Sequence, residues 1–109
     1  MAETFLYLTT IGHKSGNRHT IEIWYVEYDG AYYMVSEGRE NAHWVQNILK
    51  NPQVQFSVGT PDDKEALVKY HHAIGRIITA DHAPDIFRAV SAKMDAKYGW
   101  SDGLIIEVK

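Results

Sequence analysis

The residues with the most chemical potential occupy nine consecutive positions, Ile11-Gly-His-Lys-Ser-Gly-Asn-Arg-His19. Two glycines permit a turn in which successive backbone N–H groups converge on one point, the arrangement of an anion-binding nest. Lys14 adds a mobile point charge, and Arg18 a planar fork matched to phosphate or carboxylate. His13 and His19 add further donors. The spacing is not that of a P-loop, because the G-x-x-x-x-G-K-[ST] order is missing and no helix follows. The same residues also make an ordinary connecting loop, since Gly, Asn and Ser are common turn formers and Lys and Arg are common at surfaces. The loop's own chemistry leaves both readings open.

Other groupings are weaker. His71 and His72, with His43 and His82, invite a metal reading. Adjacent strand residues point to opposite faces, so His71 and His72 do not readily share one ion, and no metal is expected. Trp24, Tyr25, Tyr28, Tyr32 and Tyr33 form an aromatic cluster across a hairpin. Cross-strand packing accounts for such a cluster, and a partner interface or a platform for a planar ring is compatible with it. Stacked bases would be a further use, but net charge is −3 and positive charge is local, so nucleic acid is not expected as a partner.

With 109 residues the natural expectation is one domain, residues 1–109. A chain of this size buries roughly two-thirds of its unfolded surface, enough for one core without staples. There is no cysteine, which excludes disulfides and thiolate chemistry. No apolar run approaches the ~20 residues of a membrane span, so none is expected. The opening MAETFLYLTT does not read as a signal peptide, and the cytoplasm is the default compartment.

Several elements must position the loop. Glu3–Ile11 and His19–Tyr28 read as strands. On the second, Ile21, Ile23 and Tyr25 point one way and Thr20, Glu22, Trp24, Val26 and Tyr28 the other. Asp29-Gly30 predicts a type I′ turn into a strand over Ala31–Ser36. A helix from Asn41 or Ala42 to Lys50 carries the apolar stripe Trp44, Val45, Ile48 and Leu49, and Asn51-Pro52 ends it. Val54–Val58 alternates as a strand, Asp62–Glu65 reads as a charged turn, and Ala66–Ile78 is a long strand bulged at Gly75. Pro84 opens a second helix with Phe87, Val90 and Met94 on one face and Ile86 flanking; Gly99 closes it. Leu104–Val108 is the last strand. Six strands and two helices without βαβ alternation predict an α+β fold built on an antiparallel barrel, which removes sheet edges.

The larger stretch Leu8–Gly59 resembles the deazaflavin-dependent nitroreductase family. The family's Leu-Thr-Thr-x-Gly-(Arg/Lys)-Lys-(Ser/Thr)-Gly opening is matched by Leu8–Gly16. Its strand pair is matched around Asp29-Gly30, and its Ser-x-Gly by Ser36-Glu37-Gly38. Its Trp-x-x-Asn helix and Asn-Pro-x-Val strand appear as Trp44 to Asn47 and Asn51-Pro52-Gln53-Val54, all in order. The resemblance implies a six-stranded, mostly antiparallel split β-barrel of the FMN-binding-protein type, usually dimeric. It implies the deazaflavin coenzyme F420, with FMN as the alternative, and hydride transfer to a small-molecule acceptor, a quinone or nitro compound. A non-catalytic carrier of either cofactor is the other reading.

By the same resemblance the opening loop holds the cofactor's phosphate and acidic tail. Lys14, Ser15, Gly16 and Arg18 or His19 are then anion contacts, with His13 where the family often has arginine. Ser36 and Gly38 would lie along the ring or its side chain, and Trp44 and Asn47 would be the helix contribution. Reduction of a quinone or nitro group also needs a proton, for which Tyr98, then Ser36, then water are the candidates. The sequence departs from the family in three places. Glu22-Ile23 replaces a common Pro-Leu. Glu37 stands where a basic residue is frequent, with Arg39 as a partial replacement. The tyrosine-rich C-terminal helix is reduced to Tyr98 and Trp100.

Overall fold

A computed structural model describes residues 4–60, 62 and 70–109. Seven strands form one sheet: β1 Phe5–Ile11, β2 Arg18–Ile23, β3 Val26–Tyr28, β4 Ala31–Ser36, β5 Gln53–Gly59, β6 His71–Ile78 and β7 Leu104–Val108. A 3-10 turn, Arg39–Asn41, leads into α1, His43–Lys50; α2, Pro84–Tyr98, lies between β6 and β7. The strand order is β2-β1-β5-β6-β7-β4-β3, with every neighbouring pair antiparallel. The fold is an α+β split β-barrel.

The seventh strand arises because the expected strand His19–Tyr28 is divided. Its first part pairs with β1 and its last part with β4, with Trp24-Tyr25 between them. These are the two ends of the sheet order, so one short connection spans from one edge to the other. The run breaks where it passes from one partner to the other.

The alternation of that run is nonetheless kept. Ile21, Ile23 and Tyr25 face the barrel interior, packing with Leu6, Leu8, Met34, Val54, Phe56 and Ile106. Val26 and Tyr28 face the opposite side with Tyr33, Val35, Ile105, Val90 and Met94, beneath α2. Both apolar faces are therefore covered within one chain.

Asp29 and Gly30 have φ of 50° and 78°, as a type I′ turn demands. Pro84 occupies the first turn of α2, and Gly99, at φ 68°, ends it. In α1, Val45 and Ile48 are buried, but Leu49 is 54% exposed, so the stripe is narrower than its sequence implies. Gly75 makes no bulge. Ile74 and Lys109 exchange backbone hydrogen bonds and Gly75 pairs with Val108 in unbroken register. A Cβ at Gly75 would stand 3.1 Å from Ile48, so the glycine lets α1 approach the sheet. The expected turn over Asp62–Glu65 and the start of the strand at Ala66 fall mainly outside the described residues.

A polar row, buried at Tyr33 and Glu107 and exposed at Arg76, crosses β4, β7 and β6 through register-paired residues. Glu107, 4% exposed, accepts from Tyr33 Oη at 2.7 Å and from Arg76 Nε at 2.7 Å. Burial pushes the Glu107 carboxyl up, but the hydrogen bonds from Arg76 and Tyr33 outweigh it and hold the carboxyl below its ordinary range. Burial and the bond to Glu107 push the Tyr33 hydroxyl up.

Candidate functional site

The opening loop closes on itself. Gly12 N–H donates to Asn17 O and Gly16 N–H to Gly12 O, at 2.7 and 2.9 Å. The Asn17 amide donates to Ser15 Oγ. A Cβ on Gly12 would come within 2.7 Å of Ser15 Oγ and 2.9 Å of His19 Nε2, so the glycine leaves these two side chains room to sit over the turn. These amides are committed, which narrows the expected backbone nest to the Lys14 and Ser15 N–H groups. The loop also offers side-chain donors: Lys14, Ser15 and the histidines.

Asn47 ties the loop to α1. It is 4% exposed, and its Oδ1 accepts the His13 backbone N–H at 2.9 Å while Nδ2 donates to Thr10 Oγ1 at 2.9 Å. A backbone N–H can only donate, so the amide orientation is fixed. His13 Nδ1 lies 2.6 Å from the same oxygen and must therefore carry a hydrogen, leaving Nε2 for other partners. Lys50 Nζ adds a bond to His13 O. With both ends of its amide engaged, Asn47 positions His13 from within the lining of the same cavity.

This framework borders a cavity of about 410 Å³, lined among others by His13, Lys14, Ser15, His19, His43 and Trp44. Among the described residues no carboxylate lines it. Trp44 also lines a second bay, of about 650 Å³, with Ser36, Gly38, Trp24, Tyr98 and Trp100 around it. Trp44 lines both, so a donor-rich pocket and an aromatic pocket adjoin there and together make the candidate cleft. Here the acidic residues are Glu22 and Glu37.

Not every expected site residue lies in this cleft. Arg18 lines a separate groove of about 190 Å³ with Thr9, Gln55 and His72, because it and His19 alternate on β2. Gly16, at φ 75°, shapes the loop without lining the cavity. Arg39, at φ 51°, turns away to pair with Asp102 at 2.9 Å.

The two proposed proton donors have their hydroxyls engaged. Ser36, 2% exposed, donates to Arg39 O. Tyr98 Oη lies 3.0 Å from Tyr25 O, to which it donates, and accepts the Tyr25 N–H at 3.2 Å. Tyr98 thus staples the strand break at Trp24-Tyr25 to α2. Trp24 stacks on its ring at 4.4 Å and 1°, and Trp100 meets Trp24 edge-on at 6.5 Å.

Thr10, His43 and Trp24 are cleft residues that sequence reasoning did not assign. For His43 a signal existed, since it shares a helix face with Asn47 four positions on. His71 packs its ring against Phe56 while His72 lines the Arg18 groove, on opposite faces of β6. Among the described residues no group of three or more His, Cys, Asp or Glu could hold a metal ion, and no helix is long and apolar enough to cross a membrane.

Residues 1–99 match the family described as F420H(2)-dependent quinone reductase, and the chain belongs to that family. Among solved structures, HutZ, the heme storage protein of Vibrio cholerae, superposes with a TM-score of 0.73 at 17% identity, covering 96% of this chain and 80% of that one. An F420-H2 dependent reductase, FDR-A, matches with a TM-score of 0.60 at 24% identity, over 100% of this chain and 96% of that one. A structure described as a domain-swapped dimer gives a TM-score of 0.61 at 22% identity, over 100% and 82%.

Proposed function

We propose that this member of the F420H(2)-dependent quinone reductase family binds F420 in the cleft and uses its reduced form to reduce a small-molecule acceptor of the quinone or nitro type in the cytoplasm. The carrying observation is a pair of pockets that share Trp44, one basic with no carboxylate among its described lining residues, the other wider and aromatic. That pattern fits a cofactor with an acidic tail and a flat ring. Lys14, Ser15, His13 and His19 would hold the tail, with His43 beside them. Ser36, Gly38 and Trp44 would border the ring.

When bound, the reduced deazaflavin supplies a hydride, which with one proton takes a quinone to its hydroquinone. The chain's own part is to orient the ring and the acceptor. With the Ser36 and Tyr98 hydroxyls bonded to backbone carbonyls, the proton in this reading comes from water in the open bay. Asn47 keeps His13 in place, and Trp24, stacked on Tyr98, walls the acceptor side.

Homodimerisation belongs to the same proposal, supported by the likeness to the domain-swapped dimer and by exposed Leu49 and Ile74. A monomeric mass by light scattering at micromolar protein removes it.

Titration of the apo protein with F420 and FMN in parallel, read by tryptophan quenching at two salt concentrations, tests the cofactor. Micromolar or tighter F420 binding that weakens with salt is the expected result, followed by turnover with menadione. FMN binding alone would make this an FMN-dependent reductase of the same fold. Tight F420 binding with no turnover on any quinone or nitroarene would make it a carrier.

A further inference from the structure

The charge in the cleft is asymmetric. Among the described residues, the tail end is lined by Lys14 and three histidines without a carboxylate, whereas the aromatic bay is lined by Glu37 and by Glu22, which accepts from Tyr7 Oη at 2.8 Å, without a lysine or arginine. The basic residues near the bay are turned elsewhere. Arg39 pairs with Asp102. Lys97 donates to Tyr25 O and lies over the Tyr25 and Tyr98 rings, 4.4 and 5.0 Å from their centroids.

Five aromatic residues line the same bay: Phe5, Trp24, Trp44, Tyr98 and Trp100. Trp24 is 40% exposed with one face on Tyr98, and Trp100 stands edge-on to it. Tryptophan is the strongest partner for a cation placed over a ring. Aromatic walls with two carboxylates attract flat, positively charged molecules and repel anionic ones. The committed hydroxyls of Ser36 and Tyr98 point the same way, because they leave no free side-chain acid for an acceptor that must be protonated as it is reduced.

We propose that the bay is selective for planar aromatic cations, of the N-alkylated azaarene class, as hydride acceptors; this rests on the F420 reading above. Such an acceptor needs no general acid. The hydride from reduced F420 forms a new C–H bond at the electrophilic ring carbon and neutralises the cation. The cofactor's C–H bond breaks, and oxidised F420 returns one proton to solvent. The balance is F420H2 plus aromatic cation giving F420, the neutral dihydroarene and one proton.

The test has two arms. The first needs no cofactor: binding of N-methylacridinium and of anthracene-9-carboxylate, three-ring molecules of opposite charge, is measured by fluorescence on the apo protein. The cation is expected to bind about tenfold more tightly or better, and Glu22→Gln with Glu37→Gln to remove most of that preference. Glu37→Gln alone, at an exposed position, gives a partial loss and guards against misfolding of the double variant. Equal binding of the two probes, or a preference untouched by the glutamines, overturns the proposal.

The second arm uses F420H2 as reductant and compares kcat/KM for N-methylacridinium and for naphthoquinone-2-sulfonate. The cation is expected to be preferred in the native chain and less so in the double variant; no preference overturns the proposal. Cation selectivity in the first arm with no F420 binding would instead overturn the cofactor assignment and leave the bay's selectivity standing.

Discussion

Replacing Asn47 separates a residue that positions the loop from one that touches the ligand. In the structure Asn47 makes three hydrogen bonds, two to His13 and one to Thr10, while 4% exposed. A buried hydrogen bond contributes about 1 kcal/mol net, and a polar group left buried without its partner costs about 1–3 kcal/mol. Asn47→Ala should therefore lose about 2–4 kcal/mol of stability, the sum of the three bonds less what water recovers at His13. With a urea slope of about 2 kcal/mol/M, the middle of the range for small proteins, the midpoint should fall by about 1–2 M. F420 affinity should fall about tenfold or more, because His13 is no longer held at the cavity rim. Asn47→Asp keeps an acceptor for both His13 donors and should retain most of the stability. It places a negative charge beside the tail cavity, so it should still weaken F420 binding, in a salt-sensitive way. If Asn47→Ala left the urea midpoint unchanged while abolishing F420 binding, the positioning role would be refuted and Asn47 would be a direct contact. If stability fell and affinity did not, the loop's order would be irrelevant to the cleft.

Further substitutions test the remaining assignments. Lys14 is exposed, so Lys14→Ala should leave stability within about 0.5 kcal/mol; titration at low salt should show F420 binding weakened about tenfold. Arg18→Ala should bind F420 as tightly as the native chain, since Arg18 lines a different groove; a matching loss would return Arg18 to the tail site. Tyr98→Phe removes a staple and should cost about 1–2 kcal/mol in urea unfolding. Its kcat with menadione should stay within about twofold, whereas a fall of about 10²-fold would identify Tyr98 as the proton donor. The Tyr33–Glu107–Arg76 row sets a pH signature in unfolding free energy. Glu107 has its folded pKa below the unfolded value, so its contribution is complete above the ordinary carboxylate range and is lost as pH falls through the depressed value. Tyr33 has its pKa raised from 10.0, so its contribution is present below that value and lost as pH rises through the folded one. Stability should therefore fall at both extremes, with Glu107→Gln flattening the acid limb and Tyr33→Phe the alkaline one. Unchanged limbs in both variants would show that the row does not govern them.

Local chemistry was the most legible part of the sequence. The Asp29-Gly30 turn, Pro84 at the start of α2 and Gly99 at its end each follow from one or two residues' backbone preferences, and they form as those preferences dictate. Alternation likewise placed Ile21, Ile23 and Tyr25 opposite Val26 and Tyr28. What the pattern could not carry was partner choice. Nothing in the apolar run around Trp24-Tyr25 marks a break, because the break comes with the change of partner and not from a turn residue. Gly75 misled for a related reason: a strand glycine signals either a bulge or a close approach, and only the position of Ile48 decides between them. Placing the strand start one residue late left Arg18 in the loop beside His19, whereas on β2 it lines a different groove. The amides of Gly12 and Gly16 failed on closure, since a short loop uses its own N–H groups before it can offer them to an anion.

The strand break that sequence could not show is also where fold and site are coupled. Tyr25 sends its side chain into the barrel and its backbone N–H and C=O to Tyr98 Oη, while Trp24 stacks on that same tyrosine at the mouth of the bay. One residue therefore closes the barrel, ends the docking of α2 and orients the aromatic wall. A backbone already divided between two sheet partners has no ladder bonds at that point, so the hydroxyl supplies the satisfaction that pairing would otherwise give. It follows that loosening the wall cannot be independent of loosening the barrel. In Tyr98→Phe, amide exchange at Tyr25 and at the adjoining ends of β2 and β3 should accelerate together, ahead of the rest of the sheet. Exchange confined to Tyr25 alone would show that the barrel closes without the staple, and that the tyrosine serves only the bay.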